Sequence, residues 1–523
     1  MLKAADSVEK RRSLCYDKMY CGSLALRPPD RAGQVCGCRK FRMLFRALPC
    51  RVNARDTAGG EGTMQNDRTY LFEQAPVSKA VLSMAMPTIA SSLVMVLYNL
   101  ADTYFVGMLN NPVQNAAVTL AAPVLLAFNA VNNLFGVGSS SMMSRALGRG
   151  DKQTARQSAS FGFWCSLVCG ALIALFFLLF SVPALRVLGA SDENMAATQA
   201  YLFWTTCCGA VPAILNVVMA YMVRSEGAAL HASIGTMSGC FLNMLLDPFF
   251  ILPWGLDMGA AGAGLATFLS NCVACGYFLV LMVVRRESSC ISLRPCKPDR
   301  QVVLGVCGVG IPAAIQNLLN VTGMTVLNNF TSAYGSNAVA AMGIAQKINQ
   351  VPFYVSSGLS QGLMPLVSYN YASGNYRRMK RCFFFAARLA LSFLVVLSVV
   401  YWFNSDLLIT LFMENPETVA YGSRFLHGMC LALPFLCMDF LAVGVFQACG
   451  MGRQALLFAV LRKIVMEIPA LVILNLIWPL YGLAYAQTVA EVILSIAAVL
   501  VLRSIFEHLG DPPEKTAQRK TNQ

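Results

Sequence analysis

Apolar stretches of roughly 20 or more residues recur along this chain, separated by short polar loops. Each is long enough to cross a ~30 Å hydrocarbon core as an α-helix. The backbone must be helical there, because lipid offers its polar groups no partners. A closed barrel would instead show alternating segments of about ten residues. Runs such as Phe161 to Val182 show no such alternation. The pattern predicts twelve spans: 80–106, 116–140, 158–182, 197–223, 231–253, 259–284, 303–330, 338–368, 383–404, 421–447, 455–478 and 480–503. The fold class expected is an all-α integral membrane protein.

The loops sort by charge. One alternate set holds Arg145, Arg149, Lys152 and Arg156, then Arg224, then Arg285, Arg286, Arg294, Lys297 and Arg300. It continues with Arg377, Arg378, Lys380 and Arg381, and ends at Arg453. The other set is nearly free of Lys and Arg, with Arg186 the main exception. The positive-inside rule places the basic set and both termini in the cytoplasm. The expected location is the plasma membrane, crossed many times.

The chain also repeats itself. The block Ser144–Asp151 is echoed by Ser368–Asn375, and each leads into a basic cluster. Pro87 and Pro312 open the first span of each half, and Pro248 corresponds to Pro469. Each half then holds six spans, so the halves point the same way across the membrane. Parallel repeats of this kind are typical of carriers, with the substrate path between them. The expected organisation is a cytoplasmic leader at 1–73, an N-lobe at 74–284, a linking loop at 285–302, a C-lobe at 303–503 and a cytoplasmic tail at 504–523. The leader reads as irregular, or as sequence ahead of a translation start at Met64.

Composition agrees with the pattern: 56% of residues are hydrophobic and only 13% charged. A soluble domain carries roughly 25% charged residues. The net charge of +14 does not indicate nucleic-acid binding, because the basic residues lie in loops and roughly half of the excess sits in the leader. Many of the 19 cysteines fall inside apolar spans, where cysteine acts as a small hydrophobe. Cys36 and Cys38 are one residue apart and have no partner pair at zinc-ligand spacing, so no structural metal is expected. The three histidines, His231, His427 and His508, are too scattered to form a catalytic or metal cluster. No GxxxxGK[ST] loop is present, so ATP-driven export by this chain alone is not expected. No enzyme activity and no cofactor are expected.

The informative positions are ionisable side chains inside spans. A buried Asp costs about 2.5–3.5 kcal/mol on insertion scales, which makes it a functional hypothesis. Asp102 lies late in the first span and Asp247 in the fifth. Asn243 is four residues before Asp247, so the two share a helix face. Pro248 donates no backbone hydrogen bond and frees a carbonyl nearby. Such a group suits a proton or a sodium ion; the plainer alternative is that the acids pair with helix ends or polar neighbours. A second set comprises Asp439, which falls opposite Asn216 by the repeat, and Glu467. Glu467 has Lys463 one turn earlier, so a structural ion pair is as reasonable as a site. Lys347 and Glu491 are further candidates. Met84, Met86, Met95, Phe128, Phe353 and Tyr354 could line an adaptable apolar chamber.

Several motifs resemble the multidrug and toxic compound extrusion (MATE) family. They are Lys79–Pro87 followed by Leu97–Gly107, then Arg224–Gly227, Leu242–Pro248 and Gly262–Thr267. The resemblance runs from about Gln74 to about Arg503, with the six-plus-six repeat. It implies two six-helix bundles around a central cleft, exporting cationic or amphipathic compounds in exchange for H+ or Na+. Carried over by motif, the cation-coupling residues are Asp102, Asn243, Asp247 and Thr267, with Asp102 and Asp247 as metal ligands if the ion is Na+. Asp439 resembles an acidic position of the C-lobe in other members. Some members carry a glutamate in the seventh span, where this chain has Gln316 to Asn320 and no acid. A second acidic site or substrate cleft would then draw on Asp439, Glu467, Asn216, Gln316 and Asn320. The partners expected are small cationic or amphipathic substrates and the lipid bilayer, with the protein a monomer. The competing reading is a flippase for lipid-linked substrates; such proteins carry more basic residues in the cavity, and the spans here read as Arg-poor.

Overall fold

The computed structural model describes residues 69–509, apart from positions 110, 286–288, 293 and 414. The expectations for residues 1–68, including Met64 as a start, and for the tail beyond 509 lie outside the described residues, as does Arg286.

Among the described residues, twelve long helical rods follow in order, besides the short helical segments Tyr70–Gln74 and Ser405–Thr410. The N-lobe holds α1 (Val77–Met108), α2 (Val113–Gly148), α3 (Lys152–Val187), α4 (Asp192–Cys208 joined to Ala210–Ser225), α5 (Ala229–Ile251) and α6 (Ala260–Val284). The C-lobe holds α7 (Arg300–Ser332), α8 (Ser336–Ala372), α9 (Tyr376–Phe403), α10 (Pro416–Cys430 joined to Leu433–Ala448), α11 (452–477) and α12 (Gly482–His508). Each rod contains most of one expected span. Eight are long and apolar enough to cross a membrane unaided, and the two bent rods raise this to 10. The remaining two, α8 and α11, carry more polar residues and line the centre of the molecule.

Burial is inverted relative to a soluble protein. The outward face of α3 shows Leu172, Leu175, Leu178 and Leu179 to the surroundings, each at least half exposed. Ser139, Ser166, Thr206 and Ser356 are buried. That arrangement suits an apolar solvent outside and packed helices within. Three rods contain a π-helical turn: Asn132–Val137 in α2, Phe203–Cys208 in α4 and Leu461–Glu467 in α11. A π-turn inserts a residue into the helix and re-aims the side chains beside it. In α2 and α11 those side chains face the molecular centre.

The lobes meet near the ends that carry the basic loops. Ser141 Oγ on α2 donates to Gln447 O at the end of α10 (2.6 Å). A Cβ on Gly362 would lie 2.8 Å from Ala85 Cα, so glycine lets α8 lie directly against α1. The chain just before α1 contributes too. Tyr70–Gln74 forms a short helical turn inside the stretch expected to be an irregular leader. Phe72 stacks on Tyr369, and Arg378 donates to Phe72 O and Ala75 O, each at 2.7 Å. Among the described residues, these interlobe bonds all lie in the half nearer the basic loops.

Candidate coupling site and central cavity

In the N-lobe, four residues expected to act together are placed together. Asn243 and Asp247 stack one turn apart on α5, 2% and 0% exposed. With its amide nitrogen facing the carboxylate, Asn243 donates to Asp247 Oδ2 at 2.8 Å. The amide oxygen then accepts from Thr267 Oγ1 on α6 at 3.3 Å. Asp102 approaches from α1, within electrostatic reach of Asp247. Its Oδ1 is buried without a hydrogen-bond partner. Tyr98 and Tyr201 lie within reach of both acids. Pro248 follows Asp247 inside α5 and removes one backbone N–H from the ladder.

The chemistry of this cluster follows from its charge. Among the described residues, no Lys, Arg or His pairs with Asp102 or Asp247. Two carboxylates side by side in a dry site repel each other, and neither is matched by a fixed cation. A mobile cation or a proton would relieve both penalties. The oxygens available are those of Asp102 and Asp247 with Thr267 Oγ1, a set of hard donors suited to Na+. The same carboxylates are proton acceptors.

The C-lobe is built differently. Arg462, in the π-turn of α11, extends between α10 and α12. Its Nη1 lies 3.1 Å from Asp439 Oδ2 and its Nη2 2.5 Å from Glu491 Oε1. All three side chains are at most 3% exposed. Lys463 Nζ donates to Glu467 Oε2 at 2.6 Å, so the one-turn ion pair is formed. Asn216 does not join this group. It stays inside the N-lobe, donating to Asn271 Oδ1 (2.7 Å) and Pro212 O (3.0 Å). Lys347 points outward and is exposed.

A cavity of about 550 Å³ lies between the lobes. Gln316 and Asn320 line it as expected, with Asn129, Asn133, Asn349 and Gln350. Gln447 Nε2 donates to Gln316 Oε1 at 3.2 Å across its wall. Met95, Phe353 and Tyr354 supply apolar surface. Met84 and Phe128 are packed in the core instead, and Met86 faces outward. The Asp102–Asp247 cluster is not part of the lining.

Two expectations need correcting. Arg224 is not a loop charge: it ends the α4 helix, is 5% exposed and lines the cavity. The spans are not Arg-poor where it matters, since Arg462 and Lys463 line the cavity as well. Arg462 escaped notice because its partners, Asp439 and Glu491, sit on other helices, beyond the reach of a one-turn rule. The available signal was an arginine inside an otherwise apolar span, which seldom stands without carboxylates.

Comparison with known proteins fits this geometry. The MatE family model matches twice, at residues 87–249 and 312–473, once in each lobe. The chain is 31% identical over 450 residues to the multidrug export protein MepA of Staphylococcus haemolyticus, covering 85% of this chain and 98% of that one. It is 30% identical over 447 residues to MepA of Staphylococcus aureus, with the same coverage. Among solved structures, a multidrug resistance MATE family transporter of the MOP superfamily in an outward-facing conformation superposes with a TM-score of 0.80 at 25% identity, covering 84% of this chain and 98% of that one. A MOP superfamily transporter from Pyrococcus furiosus shares the fold, with a TM-score of 0.77 at 24% identity over the same coverage. Twelve helices in two pseudo-symmetric six-helix bundles, a cavity between them and a family model repeated in each lobe lead to one assignment: this chain belongs to the MATE family of membrane transporters and is not an enzyme.

Proposed function

We propose that this protein is a secondary antiporter that exports cationic or amphipathic drugs in exchange for H+ or Na+. The observation that carries the coupling half is the N-lobe cluster: Asp102 and Asp247 stand together, Asp247 is fully buried, and among the described residues no fixed cation pairs with either. In this reading, a proton or Na+ entering from outside removes the repulsion between α1 and α5. The two helices draw together, and the lobe-to-lobe equilibrium shifts. Exchange requires only that ion and drug favour different conformations, and the coupling is reciprocal. The central cavity, amide-rich with Met95, Phe353 and Tyr354 on its wall, is the drug chamber. Its volume lies in the range of roughly 300–1,000 Å³ usual for ligand pockets. The relatives named as multidrug export proteins support the drug half. The protein acts as a monomer in the plasma membrane, with both termini in the cytoplasm.

The test is ethidium efflux from proteoliposomes under a pH gradient alone and a Na+ gradient alone. One gradient should drive uphill movement and thereby name the ion. Movement under neither removes the antiport reading. Cavity-facing Arg224, Arg462 and Lys463 favour a second reading, a flippase for lipid-linked anions. Scrambling of a fluorescent lipid-linked phosphate in the same vesicles, without ethidium transport, would select it.

A further inference from the structure

One arginine stands apart from the central cavity. Arg388 lies on α9 inside the ninth expected span, is exposed, and does not line that cavity. Arg381, Phe384 and Leu391 share its helix face, seven and four residues before it and three after. Phe384 and Leu391 are 49% and 40% exposed, so this face is turned to lipid. Among the described residues, no carboxylate pairs with Arg388. A charged side chain facing hydrocarbon is expensive, and a long one relieves the cost by reaching toward headgroups.

Beside Arg388 the lipid-facing surface is hollow. The two pieces of α10 meet at a 47° bend, and a groove of about 350 Å³ opens just past it, between α9, α10 and α12. Leu391 of α9, Pro434, Phe435 and Met438 of α10, and Ile496 and Leu500 of α12 line it. The one polar side chain in the lining, Ser495, donates its hydroxyl to Val492 O at 2.9 Å. The charges gather at one end of this groove. Arg388 lies one turn from Leu391, about 4.5 Å along the axis, on the side of the basic loops. The end of α12 lies on that side too: Lys380 Nζ donates to Leu509 O at 3.2 Å, and the Phe384 and Phe506 rings are 6.0 Å apart. Arg503 of α12 therefore stands one turn beyond Leu500 toward the same end, exposed, with Nε 2.8 Å from Glu507 Oε1.

We propose that this groove is a binding site for an anionic phospholipid of the leaflet on the basic-loop side. One acyl chain lies in the groove, and the phosphate of the same lipid docks on Arg388, with Arg381 and Arg503 alongside. An acyl chain alone leaves Arg388 unmatched, and a free anion leaves the groove unfilled. A single phospholipid satisfies both. Arginine suits the headgroup because its planar fork takes two phosphate oxygens at once. A headgroup with its own ammonium cancels part of that attraction, so a net negative lipid is preferred. Basic positions between spanning helices are a known form of headgroup site.

Two photoactivatable lipids make a matched pair: a phosphatidylglycerol and a phosphatidylcholine carrying the same diazirine-bearing acyl chain. Each is added at a low fraction to phosphatidylcholine vesicles holding the full-length protein, and cross-linked peptides are quantified by mass spectrometry. The groove is read at 434–438 and 495–500, and the lipid-facing stretch 172–179 of α3 serves as the reference. In the wild type the phosphatidylglycerol-to-phosphatidylcholine ratio should be about fivefold higher in the groove than on α3, the scale of one basic side chain at a lipid surface. In Arg388→Gln that excess should collapse toward one. In Arg388→Lys, which keeps the charge, it should persist. The wild-type contrast alone decides the matter if the Gln variant fails to fold. Equal ratios on the two surfaces of the wild type, or an unchanged excess in Arg388→Gln, overturn the proposal. Absence of groove cross-links from both lipids overturns it as well.

Discussion

The two lobes repeat one fold yet solve the problem of buried acid in opposite ways. Among the described residues, the N-lobe holds Asp102 and Asp247 without a fixed cation paired to either, and Asp247 takes its hydrogen bond from the neutral Asn243. The C-lobe holds Asp439, Glu467 and Glu491 with Arg462 and Lys463 built in. A carboxylate with its own arginine needs little from outside. One without a fixed cation must borrow a charge, and a borrowed charge can be carried across a membrane. The contrast is the ground for proposing that coupling lies in the N-lobe, while the C-lobe acids are held by cations of their own lobe.

Removing the built-in cation should be the severest break of the C-lobe. Arg462→Met leaves Asp439 and Glu491 buried and unmatched, and breaking a buried pair costs about 3–5 kcal/mol. The expected outcome is a large drop in the detergent melting temperature and poor yield. The combination Arg462→Met, Asp439→Asn and Glu491→Gln, which removes all three charges together, should recover most of that loss. If the triple variant melts no higher than Arg462→Met, the charge argument for this wall is wrong.

Lys463→Met sharpens the comparison at smaller cost. Glu467 lines the cavity and would lose its only described partner there. Lys463 and Glu467 are 11% and 8% exposed, so water reaches the pair more easily than the Arg462 group. Destabilisation by about 1–3 kcal/mol is expected, the range for a buried polar group left unsatisfied. A loss as large as that of Arg462→Met would contradict the ranking.

The smallest effect lies outside the membrane. Asp151 caps α3: its Oδ1 accepts from Thr154 N at 2.9 Å. Hydrogen bonds from the Thr154 side chain and backbone hold its carboxyl below the usual carboxylate range. A lowered folded-state value means the cap contributes above the ordinary carboxylate pKa and is lost as the pH falls through the lowered one. Asp151→Ala should cost about 1 kcal/mol at neutral pH. The difference from wild type should shrink in acid. A constant difference in melting temperature from neutral to strongly acid pH would show that the cap is not electrostatic.

Much of this was legible in the chain itself. Twelve rods follow from the apolar runs, because only helices satisfy the backbone in lipid. The N-lobe group was legible because Asn243 and Asp247 share a helix face by spacing, and an Asp inside an apolar run demands an explanation. Arg462 was not legible, because its two partners come from α10 and α12 and only packing joins them. Arg224 was misread as a loop charge because it is followed by Glu226 and Gly227, which end a helix. Nothing in its spacing says that the helix end is buried at the lobe boundary. The π-turns of α2, α4 and α11 are likewise tertiary features. They place Asn133, Arg462 and Lys463 on the cavity without a periodic signature.

The central claim is that the N-lobe carboxylates carry the coupling ion. Its most direct measurement is gradient-driven ethidium efflux in proteoliposomes holding equal amounts of wild type, Asp102→Asn, Asp247→Asn and Glu491→Gln. The two N-lobe variants should insert normally and lose at least about tenfold of the gradient-driven rate, the scale on which allosteric coupling free energies act. Glu491→Gln, which still leaves Arg462 paired with Asp439, should retain gradient-driven pumping. Wild-type pumping by both Asp102→Asn and Asp247→Asn, with loss in Glu491→Gln, would contradict the account and move the coupling site to the C-lobe.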